Sequence, residues 1–284
     1  MASDFCPGAP DARERTMHGL HRHLAALILG GLAAGTAAPS AATTRDIAIG
    51  VDIYAGGLRI MTIDTTARLA PQAYRVETTL RTQGMADWFT SFRQRSLSEG
   101  EIAGGSLRPR LHSQQGVWRG DPRQLEIRYD GLRPTSVKLD PPDDPADRDP
   151  VPEALWGGTV DPISAVLFVN QGANAAAPPC TWRVPVFDGR RRYDLAFTPV
   201  AEETLAKGDY GVYAGPAVKC QVHYDAIAGQ YKGSRWRLAS PEPAPAYLWV
   251  ARPERSEMWI PVRFETENLL GWVFAHLTRL ELPR

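Results

Sequence analysis

Two cysteines have the clearest chemistry in the sequence, because they can form a disulfide bond. Cys180 and Cys220 each lie in a run of alternating apolar and polar residues, which predicts that both side chains face the interior of a β-structure. The third cysteine, Cys6, lies within residues 1–42, which we expect to be an N-terminal leader. In an exported protein the remaining pair indicates one disulfide rather than a redox or metal site. Two free buried thiols are the alternative interpretation.

A hairpin is predicted next to Cys180 by the sequence V-P-V-F-D-G-R-R-R-Y-D-L. Asp188-Gly189 between alternating segments is typical of a two-residue type I′ turn, which requires positive φ at both central positions. This register pairs Val184 with Tyr193. It gives the hairpin one apolar face, made of Cys180, Trp182, Val184, Val186, Tyr193, Leu195 and Phe197.

Arg191 falls on this apolar face in the predicted register. A buried guanidinium is costly unless it is paired, so one interpretation is a salt bridge to Asp161 or Asp188. The other interpretation is an anchor at the mouth of a pocket, where the planar donor group binds a carboxylate or another anionic head group. In that case Arg191, Tyr193 and Trp182 form a ligand-binding site.

Catalytic and metal sites have little support in the sequence. It contains no G-x-S-x-G, H-E-x-x-H or G-x-x-x-x-G-K motif. His112, His223 and His276 lie on three separate predicted strands, so their spacing does not favour a zinc site. An enzyme of unrecognised type would require His223 and Asp225, or His112, to converge in one cleft. We therefore expect no catalytic residues, no metal and no cofactor.

The N-terminal residues 1–42 have the layout of a secretory signal peptide, and Met17 is a possible start. His21-Arg22-His23 precedes an apolar run and then small residues up to Ala42. The apolar run is shorter than the roughly 20 residues that a membrane span needs. We expect residues 43–284 to form a single exported domain in the periplasm that is not an integral membrane protein.

The charge balance of the chain narrows the class of partner. Lys and Arg number 32, as do Asp and Glu, so the formal net charge is zero. A neutral protein is not attracted to nucleic acid, nor to an anionic membrane surface, by its overall charge. We expect no nucleic-acid partner.

Short alternating segments predict most of the secondary structure. In addition to the hairpin, strands are expected at residues 47–54, 58–67, 74–81, 92–98, 107–114, 124–130, 136–139, 218–225, 236–238, 247–251, 258–264 and 271–278. A meander of this kind without βαβ spacing predicts an all-β fold. We expect a strongly curved antiparallel sheet or open β-barrel with one or two short helices.

Two helical segments and one acidic loop interrupt the strands. Asp161-Pro162 supplies an N-cap and a first-turn proline for a helix at residues 163–169. Met85, Trp88 and neighbouring aromatic residues recur at helical spacing, which predicts a plug packed across the sheet rather than a ligand box. The proline-rich residues 140–152 predict a solvated loop, and their carboxylates lack the spacing of a calcium loop.

Five blocks of sequence resemble the DUF3108 family of exported bacterial proteins. They are Y-A-G-G-L-R-I at 54–60, L-R-P-R at 107–110, V-D-P-I-S-A at 160–165, V-F-D-G-R-R-R-Y-D-L at 186–195, and the C-x-V-x-Y pattern with I-A-G at 220–229. The family is more distantly similar to periplasmic proteins of the lipoprotein-carrier type. This resemblance implies an open barrel that wraps around helices and presents an apolar concave surface. It implies no particular activity.

Two functions are compatible with these observations. The first is a non-enzymatic envelope protein that binds a lipid-like ligand or a lipidated polypeptide in the concave face of the sheet. Its motivation is an export signal combined with eight tryptophans on a β-architecture. The alternative is a structural or adaptor protein that binds envelope proteins without a small ligand, and an exposed apolar patch would favour it.

Overall fold

The alternating segments fold into antiparallel strands of one sheet. The computed structural model describes residues 44–89, 91–171, 178–232, 244–254, 256, 258–268 and 271–283. The strands within them are β1 (Arg45–Ala55), β2 (Leu58–Ala70), β3 (Ala73–Thr82), β4 (Phe92–Ala103), β5 (Ser106–Trp118), β6 (Asp121–Asp130), β7 (Arg133–Asp140), β8 (Arg183–Phe187), β9 (Arg192–Leu205), β10 (Gly215–Ala228), β11 (Ala246–Ala251), β12 (Ile260–Asn268) and β13 (Gly271–Glu281). Two α-helices, α1 (Met85–Phe89) and α2 (Pro162–Gln171), and a 3₁₀ turn at Glu153–Leu155 complete the described elements.

The strand order is nearly that of a simple meander. It runs β7-β6-β5-β4-β3-β2-β1-β13-β12-β11-β10-β9-β8, so β1 pairs with β13 in the middle of the sheet and β7 and β8 are its edges. The two ends approach each other, because Val160 bridges to Val186 of β8 while the Thr159 amide donates to the Leu132 carbonyl in the β6–β7 turn. The prediction of an all-β, strongly curved open sheet is confirmed.

Helix α2 lies on the concave side of the sheet, where it contacts β4, β5, β8 and β12. It begins as predicted at Asp161-Pro162. The Asp161 Oδ1 atom accepts hydrogen bonds from the backbone amides of Ile163 and Ser164, both at 3.0 Å. This N-cap satisfies two of the amides that a helix start leaves unpaired.

Helix α1 forms as predicted, but it is not a core plug. Trp88 is 86% exposed and Met85 is 55% exposed. The Gln83 amide donates to the Ile60 carbonyl, and the Thr82 hydroxyl donates to Asp87 at 2.6 Å. These contacts hold the β3–β4 connection at the ends of the strands, so the helical turn does not cross the face of the sheet.

The β8–β9 hairpin has a wider turn than the two-residue turn that the Asp188-Gly189 pair predicts. Val184 pairs with Leu195 and Phe187 with Arg192, which leaves residues 188–191 in the loop. The cause is the Asp188 carboxylate, whose Oδ1 atom accepts from the amides of Arg190 and Arg191. Such local side-chain bonds stabilise a broader turn. Because the shift conserves the alternation, the predicted apolar face is retained, but Arg191 leaves it.

A disulfide bond joins Cys180 to Cys220 as predicted, with Cα atoms 5.3 Å apart and both residues fully buried. Cys220 lies in β10, whereas Cys180 lies in the turn before β8, with a φ of 64°. The bond is surrounded by a core cluster from α2, β8, β9, β10 and β11, which includes Val169, Trp182 and Phe197. It therefore fixes the chain entering β8 to the centre of this half of the sheet.

Some predictions concern residues outside the described part of the chain. The signal peptide at residues 1–42 and the strand at residues 236–238 are both among them. Among the described residues, no helix is long and apolar enough to cross a lipid bilayer.

Candidate ligand-binding cavity

An apolar cavity of about 380 Å³ lies between the concave side of β1–β5 and helix α2. Its size falls within the range of roughly 300–1,000 Å³ that is usual for ligand pockets. The strands contribute inward-facing aliphatic side chains, which are Ile47, Ile49, Val51, Ile63, Leu69, Val76 and Leu80. Helix α2 contributes Ile163, Val166 and Leu167, and Met258 and Pro261 close one side.

The cavity exists because α2 covers only part of the concave face. Leu167 of α2 packs into a buried cluster with Ile47 and Val76. Farther along the same strands, Val51, Ile63 and Leu80 point to the same side but remain partly accessible. Protein interiors are normally filled to crystal-like density, so a lining of this kind leaves apolar surface without contacts.

The cavity becomes polar toward β4 and β5. Thr65 and Thr78 share a hydrogen bond of 3.1 Å across β2 and β3. Gln94 and Gln114 also line the cavity, on β4 and β5 respectively. The Gln94 Nε2 atom donates to Ser96 Oγ at 3.0 Å. A ligand in this space would thus meet aliphatic walls at one end and amide groups at the other.

A buried polar network lies behind this polar end, centred on Asp161 at the start of α2. The hydroxyls of Ser98 and Ser164 donate to Asp161 Oδ2 at 2.8 and 2.6 Å. Tyr74 Oη lies 2.7 Å from Ser164 Oγ. Burial, and then the charge of Asp161, raises the pKa of Tyr74, which keeps its phenol protonated as a donor. These bonds compensate the burial of the carboxylate.

His112 connects the network to the cavity. It is fully buried, and its Nδ1 atom lies 3.3 Å from Asp161 Oδ1. Its Nε2 atom lies 3.0 Å from the amide nitrogen of Gln114. An amide nitrogen can only donate, so Nε2 of His112 accepts and the ring proton sits on Nδ1, which makes no hydrogen bond with another described residue. The buried His112 ring therefore fixes the orientation of Gln114 at the cavity wall.

The presence of serine, histidine and aspartate in one cluster does not reproduce a nucleophile with its general base. In such a site the imidazole must face the hydroxyl that it deprotonates. Here the carboxylate lies between Ser98 and His112, and the second imidazole nitrogen faces Gln114. The geometry is that of a structural network.

The three predicted ligand-binding residues lie outside the cavity. Trp182 and Tyr193 are 4% and 8% exposed and belong to the core cluster around the disulfide. Arg191 lies in the β8–β9 turn, where its guanidinium binds Asp188 at 2.8 Å, one of the two carboxylates expected for it. The structure thus brings Tyr193 and Trp182 into one cluster. Arg191 lies at the surface, where the central carbon of its guanidinium is 6.0 Å from the centroid of the Tyr193 ring.

The candidate catalytic residues do not converge. His223 and Asp225 are exposed on β10, where Asp225 binds Arg183 at 2.8 Å, whereas His112 is buried on β5. His276 lies on β13 beside Tyr54 and Tyr210. Among the described residues there is no group of three or more His, Cys, Asp or Glu side chains that could hold a metal ion.

Sequence reasoning missed the residues that line the cavity and its polar end. Ile49, Val51, Ile63 and Leu80 look like ordinary core positions, because alternation shows which face a residue takes but not whether that face is covered. Gln94 and Gln114 were the residues in the sequence that could have indicated the polar end of the cavity. Each takes an inward position on its strand, where a polar side chain needs an explanation.

Comparisons with known proteins place the chain in a family. No curated protein matches the sequence. A solved structure, described as a β-barrel-like protein of domain of unknown function DUF1849 from Brucella abortus, is similar at 9% identity, with a TM-score of 0.47 and coverage of 85% of this chain and 98% of that one. The family model DUF3108, described as a protein of unknown function, matches residues 51–278. The chain therefore belongs to the DUF3108 family, as the five sequence blocks predict.

Proposed function

We propose that the protein is an exported, periplasmic envelope protein that binds a lipid-like ligand in the cavity between β1–β5 and α2, without catalysing a reaction. The observation that supports this function is the unfilled apolar space on the concave face, which ends at Gln94 and Gln114. An acyl chain would restore the missing contacts of the lining, and each buried methylene contributes about 0.8 kcal/mol.

The apolar gain from an acyl chain is comparable to the cost of association. About ten buried methylenes would contribute roughly 8 kcal/mol, against an association cost of about 4–15 kcal/mol, so the polar contacts also contribute to a stable complex. Polar contacts at the amide end would add specificity for the head of the ligand. Val166 of α2 lines the cavity and is 54% exposed, so the cavity opens to solvent beside it. A ligand could enter there without unfolding the sheet.

Native mass spectrometry of the mature protein, purified gently from envelope extracts, tests this function. A stoichiometric lipid-like species, identified after lipid extraction, is expected. The purified protein should also bind cis-parinaric acid, a slender fluorescent fatty acid. A ligand-free mass over several preparations, together with no binding of this probe, would refute the proposal, and a lipidated polypeptide in place of a lipid would identify that class of ligand.

A matched pair of variants locates the site. Val166→Trp adds bulk at the opening and is expected to weaken probe binding severalfold, because the indole occupies space that the ligand needs. Val200→Trp is the control, since Val200 is 50% exposed on β9 and does not line the cavity. Equal binding by both variants would place the ligand elsewhere.

An adaptor function is the second candidate, and one surface favours it. The β1–β2 turn and the β3–β4 connection lie at the same end of the strands, where Leu58, Met85 and Trp88 are all more than half exposed. Clustered exposed apolar side chains are typical of protein-binding surfaces. A protein partner lost in Trp88→Ala, from a protein that carries no ligand, would support this function over the first.

A further inference from the structure

A second, smaller cavity adjoins the polar end of the apolar cavity. It has a volume of about 130 Å³ and lies at the end of β4, β5 and β6. Gln94 and Gln114 line both cavities, so the smaller one begins where the larger one ends. Trp118 and Arg123 line it and are exposed, which places it at the protein surface.

The charged residues that line the small cavity are arginines. They are Arg123 and Arg190, and among the described residues no carboxylate lines it. The Arg123 side chain has no hydrogen bond or ion pair with any other described residue, although its backbone pairs with Gly116 in the sheet. Arg190 binds Asp143 and the carbonyl of Pro141, and Asp143 also lies 3.7 Å from Arg148. One carboxylate is therefore shared by two guanidinium groups, which leaves positive charge at this cavity.

The shared glutamines add uncharged donors and acceptors. Each uses one amide hydrogen on a neighbour, Ser96 for Gln94 and His112 for Gln114. Each retains a second amide hydrogen and a carbonyl oxygen without a partner among the described residues. The buried His112 ring holds Gln114 in this orientation.

We infer that the small cavity binds the anionic head group of a single-chain amphiphile whose acyl chain occupies the apolar cavity. This inference rests on the proposed function, which supplies the site for the chain. Arg123, and with it Arg190, binds the carboxylate or phosphate oxygens, because a guanidinium offers paired donors that match either group. Gln94 and Gln114 bind the atoms that join head and chain. In this proposal the anion is bound by Arg123 and Arg190 rather than by the predicted residue, Arg191.

Isothermal titration calorimetry with three probes of one chain length tests the head-group site. The probes are dodecanoate, dodecyl phosphate and dodecanol, which differ only in the head. We expect both anions to bind the wild-type protein about tenfold more tightly than dodecanol, since hydrogen bonds to charged groups contribute more than those to neutral ones. The tighter of the two anions identifies the head-group chemistry as carboxylate or phosphate.

The variant Arg123→Gln should remove this preference by weakening the binding of both anions about tenfold while leaving the binding of dodecanol unchanged. Arg93→Gln is the matched control, because Arg93 is an exposed arginine one residue before Gln94 and faces the other side of β4. Equal binding of all three probes, unaffected by Arg123→Gln, would overturn the head-group site and leave the proposed function intact. Failure of all three to bind the wild-type protein would overturn both.

Discussion

Asp161 is expected to be the polar residue on which the stability of the fold depends most. It is fully buried, caps α2 through two backbone amides and accepts hydrogen bonds from the hydroxyls of Ser98 and Ser164. In Asp161→Ala all four donors lose their acceptor. The loss of an N-cap costs about 1 kcal/mol, and each buried donor left unpaired costs roughly 1–3 kcal/mol.

We expect Asp161→Ala to lower the free energy of unfolding by about 3–5 kcal/mol. The simple sum is larger, but the two serine hydroxyls lie 3.0 Å apart and can bond to each other in the variant. Urea unfolding measures the change. With an m-value of roughly 2–3 kcal/mol/M for a domain of this size, the midpoint should fall by about 1–2 M at constant m.

Two further variants make this measurement decisive. Asp161→Asn keeps an acceptor for the helix cap but lacks the charge, so its loss should be smaller than that of the alanine variant. Asp46→Ala removes an exposed carboxylate, 70% accessible and paired with Arg68, and should cost less than about 0.5 kcal/mol. A loss below about 1 kcal/mol for Asp161→Ala would refute the reasoning, because it would mean that the hydroxyls and amides find other partners.

Three other predictions concern the core and its response to pH. Replacing Cys180 and Cys220 by alanine should lower the free energy of unfolding by up to about 4 kcal/mol, as the chain-entropy model of disulfide stabilisation gives for a loop of this length. Mass spectrometry of the unreduced protein tests the bond itself, and free thiols at these two residues would contradict it. Trp182→Phe should cost less than about 1.5 kcal/mol, because the buried indole nitrogen has no hydrogen-bond partner among the described residues. Trp182→Ala should cost about 3–5 kcal/mol, and equal losses in the two variants would contradict the packing assigned to this ring. Burial lowers the pKa of His276 below its usual value, and the charge of Arg263 lowers it further. The unfolded state therefore binds more protons than the folded state, so the free energy of unfolding should fall as the pH drops below about 6.5. His276→Gln should flatten that part of the urea midpoint against pH, and an unchanged slope would rule out this contribution.

Alternation predicted the strands and local chemistry predicted the helix start, because both depend on neighbouring residues. The Asp161-Pro162 cap, the inward faces of Cys180 and Cys220 and the meander order are of this kind. The turn at Asp188 was predicted too narrow, since the side chain competes with the backbone for the amides of the loop.

The location of the cavity could not be predicted in this way. It depends on where α2 lies across the sheet, which is determined by contacts between residues distant in sequence, such as Ser98 with Asp161. Trp182 and Tyr193 were reasonable candidates because aromatic residues line many pockets, but in this fold they fill the core beside the disulfide. Periodicity identifies the concave face, and only tertiary packing shows which part of it is covered.

The pairing of β1 with β13 has a consequence for how the chain folds. Strands β1 to β7 can pair as successive hairpins as soon as they have been synthesised. The other edge of β1 pairs with β13, which is the last strand to be synthesised. A seven-stranded half-sheet formed before that point would have unpaired backbone groups along β1, and such an edge is a template for association with other chains. The pairing of β1 with β13 joins distant parts of the sequence, so we expect it to form slowly. A chaperone that shields the β1 edge during this interval would therefore improve the yield of folded protein more than one that acts on either outer strand.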